Sequence, residues 1–364
     1  MTLAGVRAMA VREDLDLSFL YWPGNERLHA ELSAIDGIQL IETPTRARRF
    51  QQFWNTVQRS AVKAIAQQMK SAQPDLVVVA QGDIEISSLG VHAAKAAGLP
   101  CVSYIPCPHN QAEMGSKLGA LRDLCNRPLF NLPDAFITIC QPMADRLVDQ
   151  GCRKPIEIVY NGVEVDRFQP RPTAQARAAL GLPTDRRLAG IAARVQFDQK
   201  GQDLLVRAMA EGSGKEAVDC DLVFAGDGPD LDALKSMTDQ LELSERVHFL
   251  AWQSDTAALY SALDVLVLPS KFEGFPLVMI ESVLCGVPVI ASDIDGMQEF
   301  LPAEWRFAQG SESAVRQCLR NVLDADPTEH LAKLKKRALA EMTSETFATS
   351  FEETCRKLAM ALSG

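Results

Sequence analysis

The chain has 364 residues, 47% hydrophobic and 23% charged, with 37 Lys and Arg against 47 Asp and Glu. That length exceeds what one hydrophobic core usually serves, so two domains are expected, and the composition excludes collagen-like, coiled-coil and largely disordered chains. A formal charge of −10 has the wrong sign for wrapping nucleic acid, and no nucleic-acid partner is expected.

Short β-branched runs alternate with helix-length amphipathic stretches, the pattern of βα units that feed parallel sheets covered on both faces. An α/β architecture follows. Residues Thr2–Glu13 read as the tail of a helix. The strands of the first series are expected at Leu15–Tyr21, Ile38–Glu42, Leu76–Ala80, Cys101–Ile105, Ala135–Cys140 and Ile156–Val159.

Between the second and third of these, Thr43 to Pro74 holds six Lys or Arg and no acid, with Phe50, Phe53, Trp54, Val57, Ala61, Ala64 and Ile65 at helical spacing. A basic amphipathic helix over residues 46–70 is able to rest on an anionic membrane surface or meet a phosphorylated acceptor. However, Arg48, Arg59, Lys63 and Lys70 fall opposite the apolar stripe, whereas docking favours cations at its margins. A helix packed on the core with a solvated basic face is therefore the alternative. His109 follows two prolines after the fourth strand, in a Pro-rich loop where a lone His is commonly a surface residue.

Turn-formers and two prolines between Asn161 and Pro172 mark a linker. The second series opens at Leu188–Ala193 and continues through Asp221–Ala225, Val247–Leu250, Val265–Pro269 and Val287–Ala291. Helical patterns at Ser313–Asp324, Thr328–Glu341 and Thr346–Leu362 complete the chain. The expected domains are 1–163, 164–344 and a terminal helix 345–364. Two doubly wound halves that face a cleft bind ligands at the C-terminal edges of their strands.

Nine cysteines scatter from Cys101 to Cys355 without a CxxC pair, which argues for small buried residues in a reducing compartment rather than a disulfide framework. No apolar run approaches the roughly 20 residues a membrane helix needs, and no signal core is read at the start. The expected location is cytoplasmic, with peripheral contact at the inner face of a membrane as an addition.

The richest segment is Val265–Ser292, a buried strand, a Gly/Pro loop, one helix and another buried strand. If its helix starts at Pro276, a natural first-turn residue, Glu273 lies in the loop before it and Glu281 about a turn and a half inside. The amides of Gly274, Phe275 and Leu277 would then suit a phosphate, and Glu281 a sugar's vicinal hydroxyls. A capping acid and an inward-facing, hydrogen-bonded Glu is the plainer alternative. Arg194 and Lys200 bracket the loop after the strand Leu188–Ala193, where a guanidinium fork and a mobile ammonium would reach one diphosphate unless they are merely solvated. Gly226-Asp-Gly228-Pro after the next strand either admits a nucleotide close to the backbone or simply turns the chain.

Taken together, E-G-F-P-L-V-M-I-E from Glu273 to Glu281, R-x5-K-G from Arg194 to Gly201, G-D-G-P at Gly226 and Y-N-G-V-x4-F from Tyr160 to Phe168 resemble the retaining GT-B glycosyltransferases of family 4. The resemblance implies two Rossmann-like domains, a last helix at 345–364 that crosses back to the first of them, a nucleoside-diphosphate sugar as co-substrate held mainly by the second domain, no other cofactor and no required metal. It implies that Arg194 and Lys200 neutralise the diphosphate, and that Glu281 binds the ribose. Glu273, the amides after it and His109 would meet the transferred sugar, and Gly226, Gly228 and Asn161 the donor. The acceptor would be a hydroxyl of a glycan, a lipid or a small molecule. Asp293-Ile-Asp295 is expected at a turn rather than as a metal-binding DxD.

The chain departs from the family in two places. Its start reads as shortened by about one βα unit, without the family's first Gly-Gly loop, and the later Gly-Gly is Asp295-Gly296 here. A non-catalytic nucleotide-sugar binder and a nucleotide-sugar epimerase are accordingly the alternative functions.

Overall fold

The structure, a computed structural model, describes residues 2–44, 50–57, 59–211 and 217–362. Of the stretch 46–70, residues 46–49 and 58, including Arg48, lie outside the described residues. The chain divides into one unit made of Met1–Gly162 with Ser344–Gly364, and a second made of Val163–Thr343.

In the first unit the strands are β1 (Leu17–Tyr21), β2 (Ile38–Glu42), β3 (Val77–Ala80), β4 (Cys101–Tyr104), β5 (Ala135–Thr138) and β6 (Ile156–Ile158). They form two parallel sheets, β1-β2 and β3-β4-β5-β6. The smaller sheet packs Tyr21, Leu32 and Ile35 with Leu3, Val6 and Ala10. Its link to the larger sheet is through side chains, because Leu20 packs against the cluster around Val79, Leu89 and Cys101. Ile65, Ala66 and Met69 of the helix Arg59–Ala72 enter that same cluster, while Arg59, Lys63 and Lys70 are exposed. This helix thus follows the core-packed reading, with a solvated cationic face. Phe50 and Phe53, 40% and 59% exposed, stand on the preceding turn and helix.

The last helix, Ser344–Leu362, belongs to the first unit although it ends the chain. It buries Phe347, Phe351 and Leu358. The Phe351 ring meets Tyr104 edge-on at 5.4 Å, and Glu352 pairs with Arg12 at 2.9 Å.

The second unit holds β7 (Leu188–Ala192), β8 (Asp221–Ala225), β9 (Val247–Leu250), β10 (Val265–Leu268), β11 (Val289–Ser292) and β12 (Arg306–Phe307) in one parallel sheet ordered β12-β11-β10-β7-β8-β9. The central strands β8, β10 and β11 are buried along their whole length, as expected of strands covered on both faces. β7 and β10 each end one residue before the expected bound, at Ala192 and Leu268. β11 begins at Val289 rather than Val287, because the Val287 amide still closes the preceding helix by donating to Ser282 O at 3.0 Å. β12 carries too few residues to show a period; it exists by pairing Arg306 and Phe307 with Ala291 and Ser292.

The order of this sheet reverses between β7 and β10, since β8 and β9 extend on one side and β11 and β12 on the other. Loops that leave two neighbouring strands in opposite directions open a crevice at their C-terminal ends. That point locates the site.

Candidate functional site

The loop after β7 carries Arg194 and Lys200, and the loop after β10 carries Glu273. The structure brings Lys200 and Glu273 together at 2.5 Å, at the point where the strand order reverses. Ser270 Oγ donates to the same Glu273 oxygen at 2.9 Å. The loop itself is anchored by Lys271 N donating to Gln199 O at 2.7 Å and by Glu273 N donating to Asp295 Oδ2 at 2.9 Å. The short helix Phe197–Lys200 ends in Gly201 with φ +65°, where a Cβ would stand 2.2 Å from Pro269 O. Only glycine lets Lys200 approach the end of β10 so closely.

Arg194 is exposed, and its guanidinium has no hydrogen-bond or ionic partner among the described residues; its carbonyl accepts from Gln202 Nε2 at 2.9 Å. The Gly226–Pro229 turn buttresses this loop: Val195 N donates to Asp227 O at 3.0 Å, and a Cβ at Gly228 would lie 2.1 Å from Val195 O. The nearest neighbours that require glycine at 226 and 228 are therefore the carbonyls of Ala193 and Val195, which flank Arg194.

The helix after Glu273 runs Leu277–Leu284, with Pro276 as its extended N-cap at φ −66° and ψ 119°. Pro276 thus precedes the first helical turn instead of opening it. Phe275 is buried and packs edge-on against Phe300 at 5.8 Å, so its ring belongs to the core. The Leu277 N–H opens the helix, where the backbone dipole favours an anion.

Glu281, one turn along, accepts a hydrogen bond from the buried Tyr260 hydroxyl at 2.6 Å through Oε2. Burial pushes the Glu281 carboxyl above its usual range, opposed by the Tyr260 hydrogen bond and the Arg167 charge. Burial, with the Glu281 charge, pushes the Tyr260 hydroxyl up as well, so it stays a donor. Glu281 lines a pocket of about 260 Å³ together with Tyr260, Val278, Ala193, Trp252 and Arg167. Trp252 is 74% exposed. Arg167 is fixed by donating to Ser254 O at 2.7 Å and stacks over Phe168 at 5.5 Å.

His109 and Asn161 lie in the first unit. His109 is buried, with Nδ1 3.0 Å from Cys107 Sγ. This excludes the surface-loop reading. Asn161 accepts from the Tyr104 hydroxyl at 3.2 Å.

Sequence reasoning passed over Tyr260, Arg167, Trp252 and the clamp by Asp295. Phe168 was inside a quoted motif, and its ring sits 6.3 Å from that of Tyr260; this neighbour was the available signal. Burial pushes the thiols of Cys101, Cys220, Cys285, Cys318 and Cys355 up to about 12, which makes them inert, the first four as small core residues and Cys355 as a half-buried one.

Residues 173–339 match the family model described as glycosyl transferases group 1, and residues 14–167 that of Glycosyltransferase Family 4. A D-inositol 3-phosphate glycosyltransferase of Mycobacterium tuberculosis is 39% identical over 150 residues, which cover 39% of this chain and 30% of that protein. Among solved structures, Anabaena HepE in complex with UDP and glucose is similar at a TM-score of 0.75 and 18% identity, over 98% of this chain and 95% of that one. Sucrose-phosphate synthase from Thermosynechococcus elongatus is similar at a TM-score of 0.73 and 19% identity, over 95% and 99% of the two chains. No helix among the described residues is long and apolar enough to cross a membrane.

Proposed function

Because the chain belongs to the GT-B glycosyltransferases of family 4 and group 1, we propose that it moves a sugar from a nucleoside-diphosphate donor to an acceptor hydroxyl, with retention at the anomeric carbon. The observation that carries this reading is the Lys200–Glu273 pair at the strand-order reversal, beside the pocket that Glu281 lines.

In this reading the ribose hydroxyls donate to Glu281, whose Oε1 has no hydrogen bond among the described residues. The base lies on the face of Trp252, a large apolar surface that every base is able to use. The diphosphate draws Lys200 from Glu273 and meets Arg194 and the Leu277 amide. As the glycosidic bond breaks, negative charge grows on the leaving diphosphate, and these preorganised groups stabilise it more than they stabilise the ground state. The chain's own cations thus do the work a divalent ion does elsewhere. Attack comes from the face the diphosphate leaves, and a diphosphate oxygen takes the acceptor's proton. Glu273 holds sugar hydroxyls rather than forming a covalent bond.

The acceptor is a hydroxyl of a glycan, a lipid or a small molecule. Phe50 and Phe53, with the cations of the following helix, are the candidate contact with an anionic membrane, which cosedimentation with vesicles measures. Calorimetry with UDP, GDP and ADP, followed by donor turnover with a panel of nucleotide sugars, tests the whole. One diphosphate should bind, and its sugar should be transferred or slowly hydrolysed. Tight binding without turnover would favour the non-catalytic binder, and no nucleotide binding defeats the reading.

A further inference from the structure

Asp295 has no part in the chemistry above, yet it is both buried and held in the left-handed region. Its φ is +50° and it is 5% exposed. A side chain with a Cβ is unfavourable in the left-handed region and persists there only where its surroundings over-determine it. What surrounds it is the Glu273 loop. Asp295 Oδ2 accepts the Glu273 N–H at 2.9 Å, and Gly296 N donates to Gly274 O at 3.0 Å. A Cβ at Gly296 would stand 2.5 Å from that same carbonyl, so the two segments touch backbone to backbone. The nearby Asp293 carboxylate is held by Arg306. The two acids therefore have separate partners and do not act as a DxD pair.

We propose that Asp295 is a positioning residue whose carboxylate clamps the Glu273 amide and thereby holds the Glu273 carboxylate against Lys200 and Ser270. Glycine at this position would relieve the strained backbone, so what the aspartate adds is its acceptor oxygen. Both Glu273 bonds, to Lys200 at 2.5 Å and to Ser270 at 2.9 Å, depend on where that loop stands. The inference rests on the reading of Lys200 and Glu273 as donor-site residues.

Two variants separate the carboxylate from the backbone. Asp295→Gly keeps the left-handed conformation without a Cβ and removes the clamp; Asp295→Asn keeps an acceptor oxygen and tolerates that conformation. In the glycine variant the melting temperature should hold or rise while kcat falls by about tenfold to a hundredfold and the UDP dissociation constant changes by less than about threefold. The asparagine variant should recover most of kcat.

A readout independent of activity is the acetylation rate of the Lys200 amine by an N-hydroxysuccinimide ester, followed by peptide mass spectrometry on the full chain. Release of Glu273 should raise that rate by about threefold or more in the glycine variant and leave it near wild type in the asparagine variant. Unchanged Lys200 labelling in the glycine variant overturns the clamp, as does an asparagine variant that fails as fully as the glycine one. If the wild-type protein binds no nucleotide, the donor-site reading fails while the labelling rates still decide the clamp.

Discussion

Each unit places a buried carboxylate just beyond the C-terminal end of a parallel strand, and the two are used in opposite ways. In the first unit Glu85, after β3, is 1% exposed and closed on every side. It accepts from Gln51 N at 2.8 Å, from Arg122 at 2.7 Å and from Asn126 at 3.4 Å. In the second unit Glu273 and Glu281 keep capacity to spare among the described residues: Glu281 uses one oxygen on Tyr260, Glu273 receives both Lys200 and Ser270 on a single oxygen, and the exposed Arg194 has no ionic partner. A saturated carboxylate fixes a fold; an unsaturated one beside unspent cations is available to a ligand. Position at a strand end is thus insufficient to mark a site, and the count of remaining partners distinguishes the two.

The sharpest way to break this contrast is Lys200→Ala. If the open cluster stabilises a leaving diphosphate, kcat per folded molecule should fall by about 10²–10³, the scale of losing one preorganised electrostatic group. A change of less than tenfold would place the chemistry elsewhere. Glu85→Ala should show the reverse profile. It strands the Arg122 guanidinium, whose side chain is only 12% exposed, and should cost about 3 kcal/mol of stability in chemical denaturation with turnover per folded molecule preserved. Loss of turnover without loss of stability would erase the distinction between the units.

A smaller effect is expected from Glu281→Ala, which should weaken nucleotide binding by about tenfold in calorimetry through lost ribose hydrogen bonds. The smallest concerns pH. Because burial raises the folded Glu281 carboxyl above its unfolded value, the folded state binds the extra proton, and stability falls as pH climbs from the ordinary carboxylate range through the raised value. Glu281→Gln should remove that slope and raise the ligand-free melting temperature at neutral pH. A thermal-shift series between pH 4 and 8 reads it, and an unaltered slope would show that Glu281 does not titrate in this window.

Much of the fold was legible because its signal is local. The runs Ile38–Glu42, Asp221–Ala225 and Val247–Leu250 are strands over the residues their periodicity marks, since side-chain alternation and apolar continuity are properties of the segment itself. The candidate residues Arg194, Lys200, Glu273 and Glu281 were picked out through spacing that resembles a family, and the structure brings Lys200 and Glu273 into contact.

What pairing decides was not legible. The division of the first unit into sheets of two and four strands depends on which backbones meet, and β12 exists only because β11 offers it a ladder. Tyr260 is 21 residues from Glu281 and Asp295 is 22 from Glu273, so no local period links either pair. The sequence by itself determined which segments are strands and helices and which side chains carry charge. Only the tertiary structure decided which charges are satisfied and which are left for a ligand, because hydrogen-bond saturation is a property of neighbours in space and the chain encodes those neighbours only through folding.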